Sequence, residues 1–335
     1  MNFADPLIRW MESTGVAAPW LFLLLFLGAS ALLIWRLEAM GEDGFEGTVL
    51  GTLIMPYCSG IGNLMFAFII ARKGGPGGDV MTNSLVNNVT NMTLLIGLPA
   101  VFWRMRVLPE TNGKGKRKVN AKSQELNRLS LLLTLTAVLF FTGAMWILGR
   151  DGSLDLTDGL ILIGLFLFWQ CFHVFEVLKN RVRQSRSFGW MLPVNLLLLA
   201  LGAYATYLSI NWLVDWISGI KSGFVSVKHL GWLSGWLMVL PNAMLAFYYA
   251  WRRQPEVVYT SQVGDGHICI PLCVGIYALH HTMAVPEVFK TGVLVLLGAT
   301  LVHFVFVALF GGLPRFMGIV LTAAYGYFIY AGLIG

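Results

Sequence analysis

The feature that most constrains this sequence is a series of apolar runs, each close to 20 residues long. Such a run lets an α-helix cross about 30 Å of hydrocarbon, and a helix satisfies its own backbone hydrogen bonds inside a bilayer. Breaks rich in glycine, proline and charge separate the runs. We place ten of them at residues 19–40, 47–71, 79–103, 129–149, 155–178, 190–219, 229–251, 255–281, 286–311 and 315–334. The sequence therefore predicts an all-α integral membrane protein of about ten transmembrane helices.

The composition agrees with a membrane protein. Apolar residues make up 57% of the 335 and charged residues only 12%, about half the charge of a soluble domain. The four cysteines (Cys58, Cys171, Cys269 and Cys273) lie inside apolar runs, which argues against a secreted disulfide framework. Residues 1–17 are too polar for a signal peptide, and we expect a short surface helix there.

The basic residues predict the orientation. If ten spans alternate, 16 of the 23 lysines and arginines fall in loops on one side. They are Arg36, Arg104, Arg106, Lys114, Lys116, Arg117, Lys118, Lys122, Arg128, Lys179, Arg181, Arg183, Arg186, Arg252, Arg253 and Arg315. The positive-inside rule then places these loops in the cytoplasm and both termini outside. We expect a bacterial inner (plasma) membrane protein, whose net charge of +6 reflects orientation and anionic lipid rather than nucleic acid.

The sequence also contains an internal repeat. Residues 62–73 match residues 241–252 at five of twelve positions, including Asn63 with Asn242. Spans 3 and 8 then align at a constant offset, which pairs Gly97 with Gly275. Copies five spans apart enter the membrane from opposite sides, so the halves are inverted, as in many secondary transporters. We assign 1–178 to the first five-helix half, 179–189 to a cytoplasmic connection and 190–335 to the second half, with repeat motifs at 55–100 and 236–280.

Polar residues at membrane depth mark a candidate ion site. Asn83, Asn87 and Asn91 recur every four residues along span 3 and share one helical face, with Asn88 beside it. An unpaired buried amide costs a few kcal/mol, so these side chains need partners, water or an ion. Hydrogen bonding between helices is the alternative explanation.

The matching part of span 8 carries Asp265, which aligns with Asn87, while Cys269 aligns with Asn91. Asp265 is the one carboxylate that we place near mid-membrane, where a charge is costly and indicates function. A structural partnership with His267 or an asparagine is the alternative.

Histidines and cysteines in span 8 suggest other chemistry less well. His267 and Cys269 would point to opposite sides of a helix, so a soft-metal site with Cys273 is not expected. His280 and His281 lie at the end of the span and are typical of interfacial residues. A membrane enzyme using His267 or His280 lacks a nucleophile, base and acid at one depth.

These motifs resemble the α-repeat of the cation/calcium antiporter superfamily, the sodium/calcium exchangers. In that family a helix with a small-hydroxyl, Pro-Glu element precedes a helix of the form Gly-Asn-x-x-Gly-Ser-Asn-x-x-Asn. Residues 82–91 resemble the second element well, and residues 261–269 resemble it loosely. The resemblance implies a ten-helix antiporter without a cofactor, with spans 2, 3, 7 and 8 around the site and a mobile peripheral pair, spans 1 and 6. It implies these ion-binding positions: Ser59, Asn63, Asn87, Asn91, Asn242, Asp265 and Cys269.

The departures from the family pattern affect the ion. The two acidic positions of the family are Asn63 and Asn242 here, and the mate of Ser59 in the second half is Met238. Calcium usually takes six to eight oxygens with more than one carboxylate, whereas one aspartate with amide oxygens balances a monovalent ion. We expect the metal ligands to be Asp265, Asn63, Asn87 and Asn242. The transported cation would be calcium, sodium, potassium or a proton.

We therefore predict a secondary active cation antiporter of the sodium/calcium exchanger type, a transporter rather than an enzyme. Its partners are the lipid bilayer and the transported cations, not nucleic acid. The alternative is a membrane scaffold or sensor that keeps the exchanger fold but has lost the acidic ligands.

Overall fold

The computed structural model describes residues 5–42, 60–107, 117–180 and 191–334, which form a helical bundle with two short antiparallel strand pairs. The helices are α1 (Asp5–Ser13), α2 (Ala18–Glu42), α3 (Ile61–Lys73), α4 (Gly77–Met92), α5 (Leu94–Phe102), α6 (Arg117–Leu148), α7 (Leu156–Asn180), α8 (Met191–Gly219), α9 (Leu230–Trp251), α10 (Pro255–Ile268), α11 (Val274–Ala278), α12 (Val288–Phe310) and α13 (Arg315–Ile329). The strands are β1 (Met105–Arg106), β2 (Ser153–Leu154), β3 (Met283–Ala284) and β4 (Gly312–Leu313).

Seven helical segments among the described residues are long and apolar enough to cross a membrane. They are Gly15–Arg36, Gly77–Phe102, Arg128–Asp151, Pro193–Gly219, Val227–Trp251, Val288–Phe310 and Arg315–Ile334. All seven coincide with predicted spans, so the protein is an integral membrane protein. The full count of ten stays a prediction.

The other three predicted spans also contain helices, but none of these helices meets the criteria of length and hydropathy. Helix α3 has 13 residues, and residues 47–59 of predicted span 2 lie outside the described residues. The apolar part of α7 covers Leu156–Phe172. Predicted span 8 is interrupted, because a π-helix at Cys269–Cys273 separates α10 from α11.

The polar helix α4 lies at the centre of the bundle. In the span formed by α4 and α5, 78% of the residues in the most apolar window are buried, against 17% for the span that begins with α13. Helix α4 packs against α3, α9, α10, α12 and the π-helix. Predicted spans 2, 3, 7 and 8 therefore pack together around the asparagine-rich helix.

Equivalent positions in the two halves of the chain make equivalent strand contacts. Strand β1 pairs with β4, and β3 pairs with β2. Met105 lies opposite Leu313, and Met283 lies opposite Leu154. Met105 and Met283 stand at the same sequence offset as the repeat pair Gly97 and Gly275. Both strand pairs therefore join the end of one repeat motif to the opposite half of the chain.

Glycines at helix crossings follow the same pattern. A Cβ atom placed on Gly97 of α5 would lie 3.0 Å from the carbonyl oxygen of Gly318 in α13. A Cβ atom on Gly275 of α11 would lie 3.4 Å from the carbonyl oxygen of Gly159 in α7. The absence of a side chain lets these backbones approach closely, and the repeat predicted that Gly97 and Gly275 are equivalent.

Helices α2 and α8 form a closely packed pair. Phe22 stacks on Trp212 with ring centroids 4.1 Å apart, and Gly202 lets α8 approach Leu33 of α2. An ion pair of 2.6 Å between Lys73 and Asp215 joins α3 to α8 at the surface. These helices are predicted spans 1 and 6, and they pack more extensively against each other than against the rest of the bundle.

Candidate ion-binding site

Asp265 is a fully buried carboxylate surrounded by amide groups. It is 0% exposed, and its Oδ2 atom accepts hydrogen bonds from Asn87 Nδ2 at 3.4 Å and Asn91 Nδ2 at 3.2 Å. Asn242 Nδ2 donates a third hydrogen bond to the same oxygen. Amide donors compensate part of the desolvation cost of a buried charge. The four residues, each predicted from the sequence to bind an ion, thus lie together in the structure.

Three helices bring these groups together. Asn87 and Asn91 are one helical turn apart on α4, so they present their amides to the same neighbour. Asn242 follows Pro241 inside α9, where a proline removes one backbone hydrogen bond of the helix. Asp265 comes from α10.

The site lies where two helices are discontinuous. Asn91 is next to the end of α4, and Thr93 separates α4 from α5 with φ −107° and ψ −67°. Asp265 precedes the π-helix at Cys269–Cys273, which contains Pro271. Irregular turns of this kind often occur at functional sites, and interrupted helices at mid-membrane carry the substrate sites of many transporters.

Asn63 and Cys269 lie at the edge of the cluster. The Cys269 thiol is 3.7 Å from Asn87 Nδ2 and also adjoins the side chains of Asn63 and Cys273. Both Asn63 and Cys269 are 0% exposed. The structure therefore places Asn63 beside the cluster, next to the Cys269 thiol.

Several amide oxygens in the cluster have no hydrogen-bond partner among the described residues. They are the Oδ1 atoms of Asn63, Asn87, Asn91 and Asn242. Leaving a buried acceptor unpaired is costly, and amide oxygens are good ligands for hard cations. One carboxylate surrounded by such oxygens has the chemistry of a cation site.

The other two asparagines of α4, Asn83 and Asn88, form hydrogen bonds within the helical bundle. Asn83 Nδ2 donates to the Ser234 hydroxyl of α9 at 3.1 Å, and Asn88 Nδ2 donates to the Ser84 carbonyl at 2.7 Å. Hydrogen bonding within and between helices, the alternative drawn from the sequence, thus describes Asn83 and Asn88. Asn87 and Asn91 also bond between helices, but their partner is a buried carboxylate.

The predicted hydroxyl ligand Ser59 lies outside the described residues. Its mate in the repeat, Met238, is 1% exposed, and a Cβ atom on Gly62 would lie 2.6 Å from the Met238 sulfur. Met238 thus fills the space beside the start of α3, next to Asn63.

Sequence reasoning missed one residue that supports the site. Gln262 Nε2 donates to the Asn242 carbonyl at 3.2 Å and to the Ser261 hydroxyl at 3.0 Å. Gln262 is 0% exposed, and it holds α9 against α10 beside Asn242. Its position next to Ser261 and three residues before Asp265, within a predicted span, was the available signal.

His280 and His281 do not extend this chemistry, and the side chain of His267 lies outside the described residues. No group of three or more His, Cys, Asp or Glu side chains within the described residues is arranged to hold a metal ion. His280 Nδ1 lies 2.8 Å from the Ile276 carbonyl oxygen, and His281 Nε2 lies 2.9 Å from that of Ala71. Both rings thus bind backbone at the end of the span.

A bundle of apolar helices thus surrounds a buried carboxylate and amide oxygens that have no hydrogen-bond partner among the described residues. Residues 15–175 match the family model described as "Sodium/calcium exchanger protein". No curated protein sequence matches the chain.

Solved structures show the same fold over nearly the whole chain. The sodium-calcium exchanger NCX_Mj, soaked with sodium and strontium, aligns with a TM-score of 0.67 at 20% identity, covering 95% of this chain and 98% of that one. The same exchanger soaked with sodium and calcium aligns with a TM-score of 0.63 at 21% identity, covering 94% and 97%. The family match thus covers a little less than half of the chain, and the structural match shows that nearly the whole chain has the fold of that exchanger.

Proposed function

We propose that this protein is a secondary active cation antiporter that works by alternating access and binds its cation at Asp265. The observation that carries the proposal is the convergence of Asn87, Asn91 and Asn242 on one buried carboxylate oxygen. The ligands are the Asp265 carboxylate and the amide oxygens of the cluster, including Asn63.

We propose further that the two halves are inverted repeats, each contributing to this site. The matched strand pairs and the matched glycine crossings support it, because equivalent positions in the two halves make equivalent contacts. The first half supplies Asn63, Asn87 and Asn91, and the second half supplies Asn242 and Asp265. A site between inverted repeats opens to one side or the other as one group of helices moves against the rest.

The pair α2 and α8 is the best candidate for the moving group. These helices pack extensively on each other through contacts such as Phe22 with Trp212. The Lys73–Asp215 ion pair, half exposed at the surface, is a contact to the remaining helices that can open at little cost.

The balance of charge favours a monovalent cation. Among the described side chains, Asp265 is the only carboxylate in the cluster, and three asparagine amides and the Cys269 thiol lie beside it. A monovalent ion neutralises one carboxylate, whereas a divalent ion leaves an excess charge in a poorly solvated site. Sodium, potassium and the proton are therefore favoured over calcium.

The test is flux into liposomes containing the purified protein, measured for Na⁺, K⁺, H⁺, Ca²⁺, Mg²⁺ and Mn²⁺. The Asp265→Asn variant keeps size and most hydrogen bonding but removes the charge. Losing a close charge partner in a poorly solvated site costs several kcal/mol, which is about a hundredfold or more in affinity at ~1.4 kcal/mol per decade. We expect wild-type flux of a monovalent cation and flux near background in the variant.

The matched control is Asp151→Asn, which removes an exposed carboxylate from the turn before β2 and should leave flux unchanged. Thermal unfolding of both variants should stay close to wild type, since a neutral amide is cheaper to bury than a carboxylate. Wild-type flux in Asp265→Asn would show that the residue is structural. Background flux in the wild type for every cation would favour a non-transporting scaffold.

A further inference from the structure

His303 is a buried polar side chain on α12, outside the group of residues that bond to Asp265. It is 0% exposed, and its Nε2 atom lies 2.7 Å from the carbonyl oxygen of Met92. A carbonyl oxygen only accepts hydrogen bonds, so Nε2 carries the hydrogen and donates it. Ionisable side chains inside membrane spans are rare and indicate function, so the contact with Met92 needs an explanation.

The Met92 carbonyl lies at the break between α4 and α5. Met92 is the last residue of α4 and follows Asn91, and Thr93 departs from helical geometry. The last carbonyls of a helix have no partner within the helix, and inside a membrane they are satisfied by neighbouring segments. His303 supplies such a partner one residue away from the Asn91 amide that bonds to Asp265.

The same imidazole contacts α10, the helix that carries Asp265. The rings of His303 and Tyr259 meet edge to face, with centroids 5.6 Å apart and an interplanar angle of 85°. Tyr259 is fully buried and lies on α10 with Asp265. One side chain of α12 therefore contacts both helices that are discontinuous at the site, α4 through a hydrogen bond and α10 through a ring.

The hydrogen bond to Met92 is the polar anchor of this imidazole. Nδ1 of His303 and the hydroxyl of Tyr259 have no hydrogen-bond partner among the described residues. The contact between the two rings is therefore one of packing, and the donor that fixes the imidazole against α4 is Nε2.

The two halves of the chain can be compared at this place because α12 and α6 end alike. Leu313 and Leu154 occupy equivalent places in the two strand pairs. Two residues before each of them stands a glycine with positive φ, 69° at Gly311 and 90° at Gly152. The ends of α12 and α6 thus align at a constant offset.

The corresponding place in the first half is apolar. By this offset His303 corresponds to Ala144 on α6. By the offset of the repeat motifs, its neighbour Tyr259 corresponds to Met81, which is 0% exposed. Packing of the equivalent helix therefore needs no imidazole, and the reason for one at position 303 lies in the contact with the end of α4.

We propose that His303 is a positioning residue of the ion site. Its hydrogen bond to Met92 fixes the end of α4 and so keeps the Asn91 amide against Asp265, while its ring packs on Tyr259 and holds α10 beside α4. The inference rests on the proposed cation site at Asp265. It gives α12, a helix that carries none of the proposed ligands, a role in cation affinity.

The test compares two amides of different length at position 303. Glutamine carries its side-chain nitrogen at the distance of Nε2 and can donate to the Met92 carbonyl, whereas asparagine is shorter and does not reach it. In liposome flux assays with the cation that the wild type transports, we expect H303N to raise the half-saturating concentration about tenfold, or ~1.4 kcal/mol, the scale of one hydrogen bond. The maximal rate should change less, and H303Q should restore most of the affinity.

The matched control is T300V on the same helix. Thr300 is 0% exposed, and its hydroxyl donates to the Leu296 carbonyl of α12 at 2.7 Å. The substitution removes a buried polar group and a hydrogen bond that is internal to α12. The half-saturating concentration should therefore stay at its wild-type value even if the unfolding midpoint falls.

Hydrogen exchange tests the same contact without transport. Peptides that span the break between α4 and α5 should exchange faster in H303N than in the wild type, H303Q or T300V. Wild-type affinity in H303N, an affinity in H303Q as low as in H303N, or an equal loss in T300V would overturn the proposal. Background flux in the wild type would refute the proposed function instead; faster exchange in H303N would then still support the role of His303 in fixing α4, and unchanged exchange would overturn it.

Discussion

Asn242 donates a hydrogen bond to Asp265 at the position where the family pattern has an acidic residue. The amide supplies a donor to the carboxylate and adds no charge, so the pair is stable without a divalent ion. An aspartate at this position would place two carboxylates side by side. Such a pair is unfavourable when empty and a strong site for a divalent cation.

We therefore predict that Asn242→Asp converts the site toward calcium. Without added ion, repulsion between the two carboxylates should lower the thermal unfolding midpoint. Calcium should restore that midpoint, and the apparent affinity for calcium should rise at least tenfold. Thermal unfolding with and without calcium measures both effects.

Asn195→Asp provides the control for this substitution. Asn195 lies on α8, is 2% exposed and has an unpaired Oδ1 atom among the described residues. A carboxylate there should also lower the unfolding midpoint, because it is buried, but calcium should not restore it. A calcium response of Asn242→Asp no greater than that of Asn195→Asp would contradict the proposed role of Asn242.

Helix crossings at this protein's periphery depend on glycines rather than on side-chain packing. A Cβ atom on Gly318 of α13 would lie 2.5 Å from the carbonyl oxygen of Gly97. Backbone cannot move aside as the end of a flexible side chain can, so the two helices would have to separate. Gly326 on the same helix has nothing within 4 Å of such an atom.

We predict that Gly318→Ala destabilises the protein by about 1–3 kcal/mol, the usual cost of overpacking. Gly326→Ala should leave stability unchanged or slightly higher, because alanine favours a helix and meets no obstacle there. Unfolding midpoints in the same detergent compare the two variants. Equal midpoints would show that α5 and α13 do not cross as closely as the structure has them.

For the molecule as a whole, the unequal distribution of basic residues predicts that both termini lie outside the cytoplasm. The loop between α8 and α9 would then be outside and the loop between α9 and α10 inside. Lys221 and Arg252 are exposed residues of these two loops. They allow the orientation to be tested by a single pair of substitutions.

In a Cys171→Ser background, which removes the exposed cysteine of the described residues, we expect Lys221→Cys to react with a membrane-impermeant maleimide in intact cells. Arg252→Cys should react only after the membrane is permeabilised. The reverse pattern would contradict the orientation. Labelling of both residues in intact cells would contradict the odd number of crossings between these loops and, with it, the span count.

The sequence by itself determined the class of fold, because the length and spacing of apolar runs reflect the thickness of a bilayer. It also predicted much of the candidate site. The constant offset between the repeats singled out Asn87, Asn91, Asn242 and Asp265, since a polar side chain at membrane depth must have a reason to be there.

Only the tertiary structure decided which asparagines share the carboxylate. Asn83 and Asn87 are indistinguishable by helical spacing, yet Asn83 bonds to Ser234 and Asn87 to Asp265. Their partners come from different helices, and which helix faces which depends on packing between segments far apart in the chain. For the same reason the sequence did not predict the supporting role of Gln262, which depends on the packing of α9 against α10.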